Sequence, residues 1–249
     1  FYFVFFLFTA LSGIAQKISY SEPDHDDIRS MNFEVIGKMN DHFLVYKAER
    51  GKYYISVFDN DMKTKDRVSL DFLPDKILNS DIIAYKDFFY FIYQYQRRNI
   101  LYCMAAKMDA NGKIIGEPKE LDTTAIGFAA NNKIYTILNS EDKQKIAITK
   151  INSRNSDLYV VSSSLFTSGL GLISKSQASI PMPTHSDFLT EFMLDNAGGL
   201  VFVRASGTSQ NDNINSLTLI TKEPMADSVS YYDLNVSKMG LVAWLPSLT

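Results

Sequence analysis

Apolar residues occur in short runs along most of the chain, and polar clusters separate the runs. From Met31 onward the runs are rich in Val, Ile, Tyr and Phe, and the clusters between them contain Gly, Asn, Asp and Lys. Branched and aromatic runs favour strands, and such polar clusters favour tight turns. Apolar spacing of three and four residues, which is typical of helices, is not sustained anywhere. The pattern therefore predicts an almost entirely β fold.

The runs group into a repeating unit of strand, turn, strand, turn and strand. Four such units begin at His42, Phe88, Lys133 and Gly199. The first three units begin about 45 residues apart, whereas a longer interval precedes the fourth. A period of roughly 40 to 50 residues with three or four strands per unit is typical of propeller blades.

The turns between the runs support this grouping. Asp109–Lys113 (DANGK), Asp195–Gly199 (DNAGG) and Glu49–Lys52 (ERGK) place Asn or Gly where a tight hairpin needs a positive φ. The run FFYFIY, from Phe88 to Tyr93, is apolar on both faces of a strand. A strand of that kind is expected between two packed sheets.

From Phe33 to its end, the chain resembles β-propeller repeat proteins in the shape of its repeats. It has no WD dipeptide, no kelch double glycine in register and no repeated Asp-box motif, so the resemblance extends to no named propeller family. It implies an array of three to four antiparallel blades. Because propellers usually close with at least four blades and more often six or seven, we expect an incomplete propeller that is truncated at its C-terminus. The alternative is an irregular β-sandwich.

The first sixteen residues have the pattern of a secretory signal peptide. An apolar run from Phe1 to Phe8 is followed by Gly13, Ile14 and Ala15, which fits cleavage between Ala15 and Gln16. A membrane-spanning helix needs roughly 20 apolar residues, and this run ends too early. A retained N-terminal anchor is the alternative. The starting Met and the basic region are missing, so we expect that the signal peptide is clipped at its start.

The predicted organisation is therefore a signal peptide over 1–15, a linker over 16–32 and a propeller-like domain over 33–249. The protein is expected to be exported to the periplasm, the cell surface or the extracellular space, with no stable membrane span after cleavage. Its one cysteine, Cys103, cannot form an internal disulfide, and its apolar surroundings predict a small buried side chain. A formal net charge of −3 lacks the basic surplus of a nucleic-acid-binding protein.

Three groups of residues invite a metal-site interpretation, and none has the required pattern. Asp59, Asp61 and Asp66 begin like a calcium loop, but Lys63 and Thr64 follow where oxygen ligands and Gly are needed, so a solvated hairpin turn is predicted. The acidic linker segment 24–27 is expected to be flexible, and flexible neighbouring carboxylates rarely preorganise a metal site. The three histidines, His25, His42 and His185, share no spacing that places two on one ligand face. We predict no metal and no cofactor.

Catalytic residues are not predicted either. His185, Ser186 and Asp187 are consecutive, but neighbours on an extended chain point to opposite faces, and hydrolase triads are assembled from distant residues. No G-x-S-x-G elbow, phosphate-binding loop or dinucleotide glycine pattern occurs.

Two features remain as candidate ligand contacts. An aromatic ladder places Phe89, Phe91, Tyr93 and Tyr95 on one strand face, with Phe88 and Tyr90 on the other. Filling the space between blades is the favoured interpretation. The alternative is that these rings stack on sugars while Arg97 and Arg98 hold an anionic group. The Asn-rich loop Gly207–Asn215 is the second candidate, because loops on rigid scaffolds commonly carry binding surfaces.

The sequence favours a noncatalytic, exported binding or protein-interaction module of the cell envelope, with a protein or carbohydrate as ligand. One alternative is a propeller glycoside hydrolase or lyase, with its catalytic carboxylates on the central channel face. A second alternative is a structural subunit of a surface assembly, which would expose large apolar patches.

Overall fold

A computed structural model describes residues 18–21, 31–154, 157–208, 213–226 and 228–234. The described residues contain sixteen β-strands and no helix. The strands are β1 (Met31–Met39), β2 (His42–Glu49), β3 (Lys52–Phe58), β4 (Thr64–Ser69), β5 (Asn79–Ala84), β6 (Phe88–Arg97), β7 (Ile100–Asp109), β8 (Lys119–Ala125), β9 (Tyr135–Asn139), β10 (Lys145–Arg154), β11 (Leu158–Thr167), β12 (Leu172–Pro181), β13 (Asp187–Leu194), β14 (Leu200–Thr208), β15 (Asn213–Lys222) and β16 (Ser230–Leu234).

The chain divides into two compact units, Phe1–Leu70 and Asp71–Thr249. In the first unit, β1 to β4 form one antiparallel sheet in chain order, with a register shift between Val35 and Gly37. Leu44 on β2 and Ile55 on β3 are fully buried. The second unit contains three sheets, β5–β8, β9–β12 and β13–β16, and each is an antiparallel meander of four strands.

The middle sheet of the second unit packs on both of its faces, because successive residues of a strand point to opposite sides. Ile146 and Ile148 on β10 pack against β5–β8, in one cluster with Tyr90 and Leu101. Ala147, the residue between them, belongs to a second cluster that includes Phe202 on β14. Two apolar interfaces therefore hold the three sheets of this unit together.

Four consecutive four-stranded meanders confirm the predicted all-β, propeller-like array of blades. Each predicted unit covers only three of its four strands, since β1, β5 and β13 precede the predicted starts and β12 lies in the long interval. All four of these are edge strands of their sheets. The opposite edge strands, β4, β8, β9 and β16, lie within the predicted units, so edge position alone does not decide which strand the sequence pattern shows.

Five turns contain the same type of hydrogen bond between a side chain and the backbone. A side-chain oxygen of the first turn residue accepts a backbone N–H from the far side of the turn, at 2.7 to 3.0 Å. The first residues are Asp59, Asp109, Ser140, Thr167 and Asp195. Such short polar side chains satisfy turn N–H groups locally. An Asp, Ser or Thr at the end of each apolar run was therefore the available signal.

Gly198 combines a positive φ with a crowded side-chain position. Its φ is +98°, and an added Cβ would lie 2.8 Å from Leu165 Cδ2 and 3.1 Å from Lys145 Cδ. We expect Gly198→Ala to lower the free energy of unfolding by about 2 to 3 kcal/mol, because backbone strain and crowding add. Gly116 also has a positive φ but open space around it, so Gly116→Ala should cost about 1 kcal/mol. Urea unfolding of both variants checks this, and equal losses would contradict it.

Candidate functional site

Gln94, at the centre of β6, is fully buried and joins two sheets. Its Nε2 donates to the carbonyl oxygen of Tyr135 at 2.8 Å. Its Oε1 accepts the N–H groups of Tyr135 at 2.9 Å and of Ile134 at 3.1 Å. The side-chain amide therefore satisfies the backbone at the start of β9 as a neighbouring strand would.

Gln96, two residues further along the same strand face, holds a loop against the β6–β7 turn. Its Nε2 donates to the carbonyl oxygens of Arg98 at 2.8 Å and of Phe128 at 3.0 Å. Its Oε1 accepts the N–H of Ala130 at 2.8 Å. The carbonyl oxygen of Asn99 also accepts the N–H of Ile126 at 2.9 Å. Three of these bonds fasten segment 126–130 to the end of β6 and its turn.

A second polar group, here called the polar seam, consists of Asp122 and Thr124 on β8, Tyr135 on β9 and Lys150 on β10. Lys150 Nζ lies 2.5 Å from both Asp122 Oδ2 and Thr124 Oγ1, and the Tyr135 hydroxyl lies 2.8 Å from Thr124 Oγ1. Lys150 Nζ also lies 5.1 Å from the centroid of the Tyr135 ring. These contacts connect the outer strand of one sheet to the two neighbouring strands of the next.

The electrostatics of the polar seam favour a structural role. Lys150 uses its three donors on Asp122, Thr124 and the carbonyl oxygen of Thr123, so no donor is left for a substrate. Burial raises the pKa of the Tyr135 hydroxyl and of the nearby Cys103 thiol well above their usual values. A protonated, buried thiol is not a nucleophile. The prediction that Cys103 is a buried side chain is confirmed.

The aromatic ladder is interior along most of its length. Phe89, Phe91 and Tyr93 are buried, as the space-filling interpretation predicts, and burial raises the pKa of Tyr93 to about 12. Only the far end is open, where the rings of Tyr95 and Tyr102 are half-buried and stack with centroids 5.0 Å apart. The ladder therefore serves mainly as core, and its last two rings adjoin the surface.

Four exposed side chains lie around the β6–β7 turn and are here called the arginine–phenylalanine patch: Arg97, Arg98 and Ile100 at the turn, and Phe128 on the segment that Gln96 holds against it. Phe128 is 60% exposed and Ile100 is 40% exposed. Both arginine side chains are exposed, and within the described part of the chain neither forms an ion pair with a carboxylate. Arg98 has a φ of 55°, in the left-handed region that non-glycine residues rarely adopt. Both arginines are candidates in the sequence, whereas no sequence pattern marks Phe128.

The structure separates the members of the His185–Ser186–Asp187 sequence. Asp187 accepts hydrogen bonds from Thr184 N at 2.9 Å and Thr184 Oγ1 at 2.6 Å, and Ser186 Oγ lies 2.9 Å from Ser206 Oγ. Burial opposes ionisation of Asp187, but hydrogen bonds from Thr184 and Ser206 hold the pKa of its carboxyl below its usual value. His185 is exposed, and among the described residues no hydrogen bond links it to Ser186 or Asp187. The residues do not form a triad.

The acidic candidate at the β3–β4 turn is a turn, as predicted. Asp59 Oδ1 accepts the N–H groups of Asp61 and Lys63, each at 2.9 Å, and the bond from Lys63 is the main cause of its lowered pKa. His42 lies at the start of β2, far along the chain from His185. Across residues 31–154, 157–208 and the other described segments, no three His, Cys, Asp or Glu side chains are grouped to hold a metal.

Several predictions concern residues outside those the structure describes. The signal peptide with its cleavage site at Ala15 and Gln16, the acidic segment 24–27 with His25, and residues 209–212 of the Asn-rich loop belong to this group. In the described part of the chain, no helix has the length and apolar character needed to cross a membrane.

Asp81 on β5 offers a test of burial through pH. Asn79 Nδ2 donates to its Oδ2 at 2.7 Å, and burial raises the pKa of its carboxyl while Lys133 opposes that shift. Because the folded chain then favours the protonated form, stability should fall as pH rises from about 4 through the raised pKa. We expect Asp81→Asn to be more stable than the wild type at pH 7 and equal to it near pH 3.5. Urea unfolding at both pH values measures this, and the exposed Asp87→Asn is the control.

Comparisons with known proteins bear on the strand arrangement alone. No protein-family model matches the chain, and no curated protein matches it in sequence. It is similar to a mutant apocarotenoid oxygenase of Synechocystis, at 14% identity and a TM-score of 0.47, over 83% of this chain and 48% of that one. It is also similar to a prolyl endopeptidase, at 11% identity and a TM-score of 0.46, over 81% of this chain and 29% of that one.

A third similar structure is the GH43 endo-arabinanase of Bacillus licheniformis, at 11% identity and a TM-score of 0.40. That similarity covers 79% of this chain and 72% of the arabinanase. The chain spans less than half the length of the oxygenase and of the endopeptidase.

Proposed function

We propose that the chain is an exported, noncatalytic binding module of the bacterial cell envelope, built on a propeller-like scaffold. The observation that carries this proposal is the rigid presentation of the arginine–phenylalanine patch. Three hydrogen bonds, two of them with Gln96, hold the loop that carries Phe128 against the end of β6 and its turn, where Arg97 and Arg98 lie. Binding surfaces are commonly loops that a rigid scaffold holds in place.

The composition of the patch also supports binding. It combines two guanidinium groups with apolar side chains, and arginine and aromatic residues are the types that contribute most to binding energy in protein interfaces. Exposure of Phe128 and Ile100 to water has no benefit for folding. A partner that covers them would bury their apolar area, and that burial favours binding.

Retention by cell envelopes tests the proposed function. The purified chain is mixed with washed envelopes of a bacterium that encodes it, and the bound fraction is measured after sedimentation. We expect the wild type to be retained and the triple variant Arg97→Ala/Arg98→Ala/Phe128→Ala to remain in solution. A matched triple variant, Lys113→Ala/Lys52→Ala/Phe33→Ala, removes equally exposed side chains elsewhere and should be retained. Equal retention of the first variant, or release of cleaved sugars or peptides from the envelopes, would contradict the proposal.

Export has its own measurement. The gene is expressed with its native upstream sequence, and the protein recovered outside the cytoplasm is sequenced from its N-terminus. We expect the mature chain to begin at Gln16. Recovery of a chain that still contains Phe1 would contradict cleavage.

A structural subunit of a surface assembly is a second candidate, because one face of the β13–β16 sheet is apolar and open. The register places Phe188, Met193, Tyr232 and Leu234 on that face, and they are between 39% and 57% exposed. Large exposed apolar patches mark association surfaces. Sedimentation velocity tests it: assembly that disappears in Met193→Asp would favour this candidate over the binding module.

A further inference from the structure

We infer that the chain forms a twofold dimer in which the open faces of two β13–β16 sheets pack against each other. This inference rests on the second candidate function, assembly through that face, and names the partner as a second copy of the chain. Three observations carry it: the absence of charge from the face, the size of the face, and the arrangement of large and small side chains across it.

Strand register defines the open face of the β13–β16 sheet, because residues that are paired across strands share one side of a sheet. The face consists of Phe188, Thr190 and Met193 on β13, Val201, Val203 and Ala205 on β14, Leu217, Leu219 and Thr221 on β15, and Ser230, Tyr232 and Leu234 on β16. The intervening residues Phe202 and Ile220 face the other way, in the cluster that packs against β9–β12. One side of the sheet is therefore covered, whereas the other side is exposed at its outer strands.

No residue of the open face carries a charge. The four strands do contain charged residues, and the register places four of them on the covered side: Asp187, Arg204, Lys222 and Asp233. The fifth, Glu191, lies in the bulge of β13, where the alternation is interrupted. An antiparallel sheet with one solvated face normally places its polar side chains there, so this face is suited to an apolar partner instead. A second copy of the chain supplies such a surface without bringing like charges together.

The open face is large enough for a stable dimer. Its strands contain between 5 and 10 residues each. With strands about 4.8 Å apart and a rise of about 3.3 Å per residue, the face measures roughly 19 by 25 Å. Two such faces in contact would bury on the order of 1,000 Å² in total, which is the size that specific interfaces reach. The chain already packs such faces sheet on sheet, since both sides of β9–β12 are covered in this way.

Side-chain size selects the orientation of the two copies. The inner strand β14 presents Val203 and Ala205, and β15 presents Leu219 and Leu217 at the same two levels. A twofold axis that runs parallel to the strands, between β14 and β15, places β14 of one copy over β15 of the other, so small side chains meet large ones. An axis across the strands would place each strand over itself and leave gaps between the small side chains of β14. The first arrangement predicts that Val203 of one copy contacts Leu219 of the other.

Sedimentation velocity of the purified chain at about 50 μM tests the inference. We expect the wild type to sediment as a dimer. Met193→Asp should raise the dissociation constant at least about 30-fold, since it would bury a carboxylate against apolar side chains. Met225→Asp is the matched control, because Met225 is 76% exposed and lies on the connection between β15 and β16, outside the face. It should change the dissociation constant by less than about twofold.

A pair of opposite charges tests the twofold arrangement. Val203→Asp and Leu219→Lys should each be monomeric at the concentration where the wild type is a dimer. Mixed in equal amounts, they should form a heterodimer, because the introduced carboxylate of one copy faces the introduced ammonium group of the other. The second contact between Val203 and Leu219 is unchanged in that heterodimer. Circular dichroism shows whether each variant is folded. Where one is not, Thr190→Lys and Tyr232→Asp, on the outer strands at the same level, provide the same test.

A monomeric wild type, or equal dissociation constants for Met193→Asp and Met225→Asp, would overturn the inference. If Met193→Asp dissociates an assembly but the folded, oppositely charged variants do not pair, the second candidate function stands and the twofold dimer is wrong. If the chain is monomeric and envelopes retain it through the arginine–phenylalanine patch, the second candidate and the dimer are both wrong and the binding module stands.

Discussion

Replacing Gln94 by Leu is expected to lower the free energy of unfolding by about 3 to 5 kcal/mol, because three backbone groups lose their partners at once. The carbonyl oxygen and N–H of Tyr135 and the N–H of Ile134 all bond to this one amide. Each buried polar group left unsatisfied costs about 1 to 3 kcal/mol. Leu is close to Gln in size, so the loss does not arise from a new cavity.

Urea unfolding at pH 7 measures the loss, and hydrogen exchange locates it. The amide of Tyr135 should exchange faster in Gln94→Leu than in the wild type, because its acceptor is removed. Gln177 is an exposed glutamine on β12, and Gln177→Leu should change the free energy of unfolding by less than about 0.5 kcal/mol. If the free energy of unfolding of Gln94→Leu were within about 1 kcal/mol of the wild type, the hydrogen bonds of Gln94 would contribute little to stability.

The second large effect is expected in the polar seam. Lys150→Met should cost about 3 kcal/mol, because it leaves Asp122 in a mostly buried position where, among the described residues, only the exposed Lys175, 3.6 Å away, remains as a counter-charge. The double variant Asp122→Asn/Lys150→Met should cost less than the sum of the two single variants by about 1 to 2 kcal/mol, since the pair is coupled.

An exposed ion pair in the same chain serves as the control. Lys65 Nζ lies 3.8 Å from Asp59 Oδ2, and the lysine side chain is 57% exposed, against 14% for Lys150. Lys65→Met should therefore cost under about 1 kcal/mol, and 0.5 M salt should remove even that loss. If Lys65→Met were as damaging as Lys150→Met at both salt concentrations, burial would not be the reason for the stability of the seam.

The sequence predicts the central strands and the turns, but not every edge strand. The buried aromatic run of β6 and the glycine turns were predictable, because strand alternation and positive φ depend on neighbouring residues. The edge strands β1, β5, β12 and β13 lie outside the predicted units, although the edge strands at the other side of each sheet, β4, β8, β9 and β16, lie within them. Each of the five turns with a side-chain-to-backbone hydrogen bond begins with Asp, Ser or Thr, so these turns too can be predicted from the sequence.

The roles of the site residues could not be predicted from local sequence patterns. Gln94 and Gln96 look in sequence like ordinary polar residues in a strand, yet one is fully buried and both bind backbone groups some 30 to 40 positions away. Arg97 and Arg98 are candidates in the sequence, but only the packing of segment 126–130 shows that the Phe128 backbone meets that of Arg98 at Gln96. Local patterns carry no information about which distant loop meets a given turn.

The sequence by itself determined most of the strands, the tight turns and the buried state of Cys103, because hydrophobic alternation and backbone preferences act between close neighbours. Tertiary structure alone decided which polar residues bind the backbone of a distant segment, which form the polar seam and which stay exposed. Asp122 meets Lys150 across 28 residues, and that meeting depends on how two sheets stack face to face. The stacking is set by the summed burial of many apolar side chains, so no single segment encodes it.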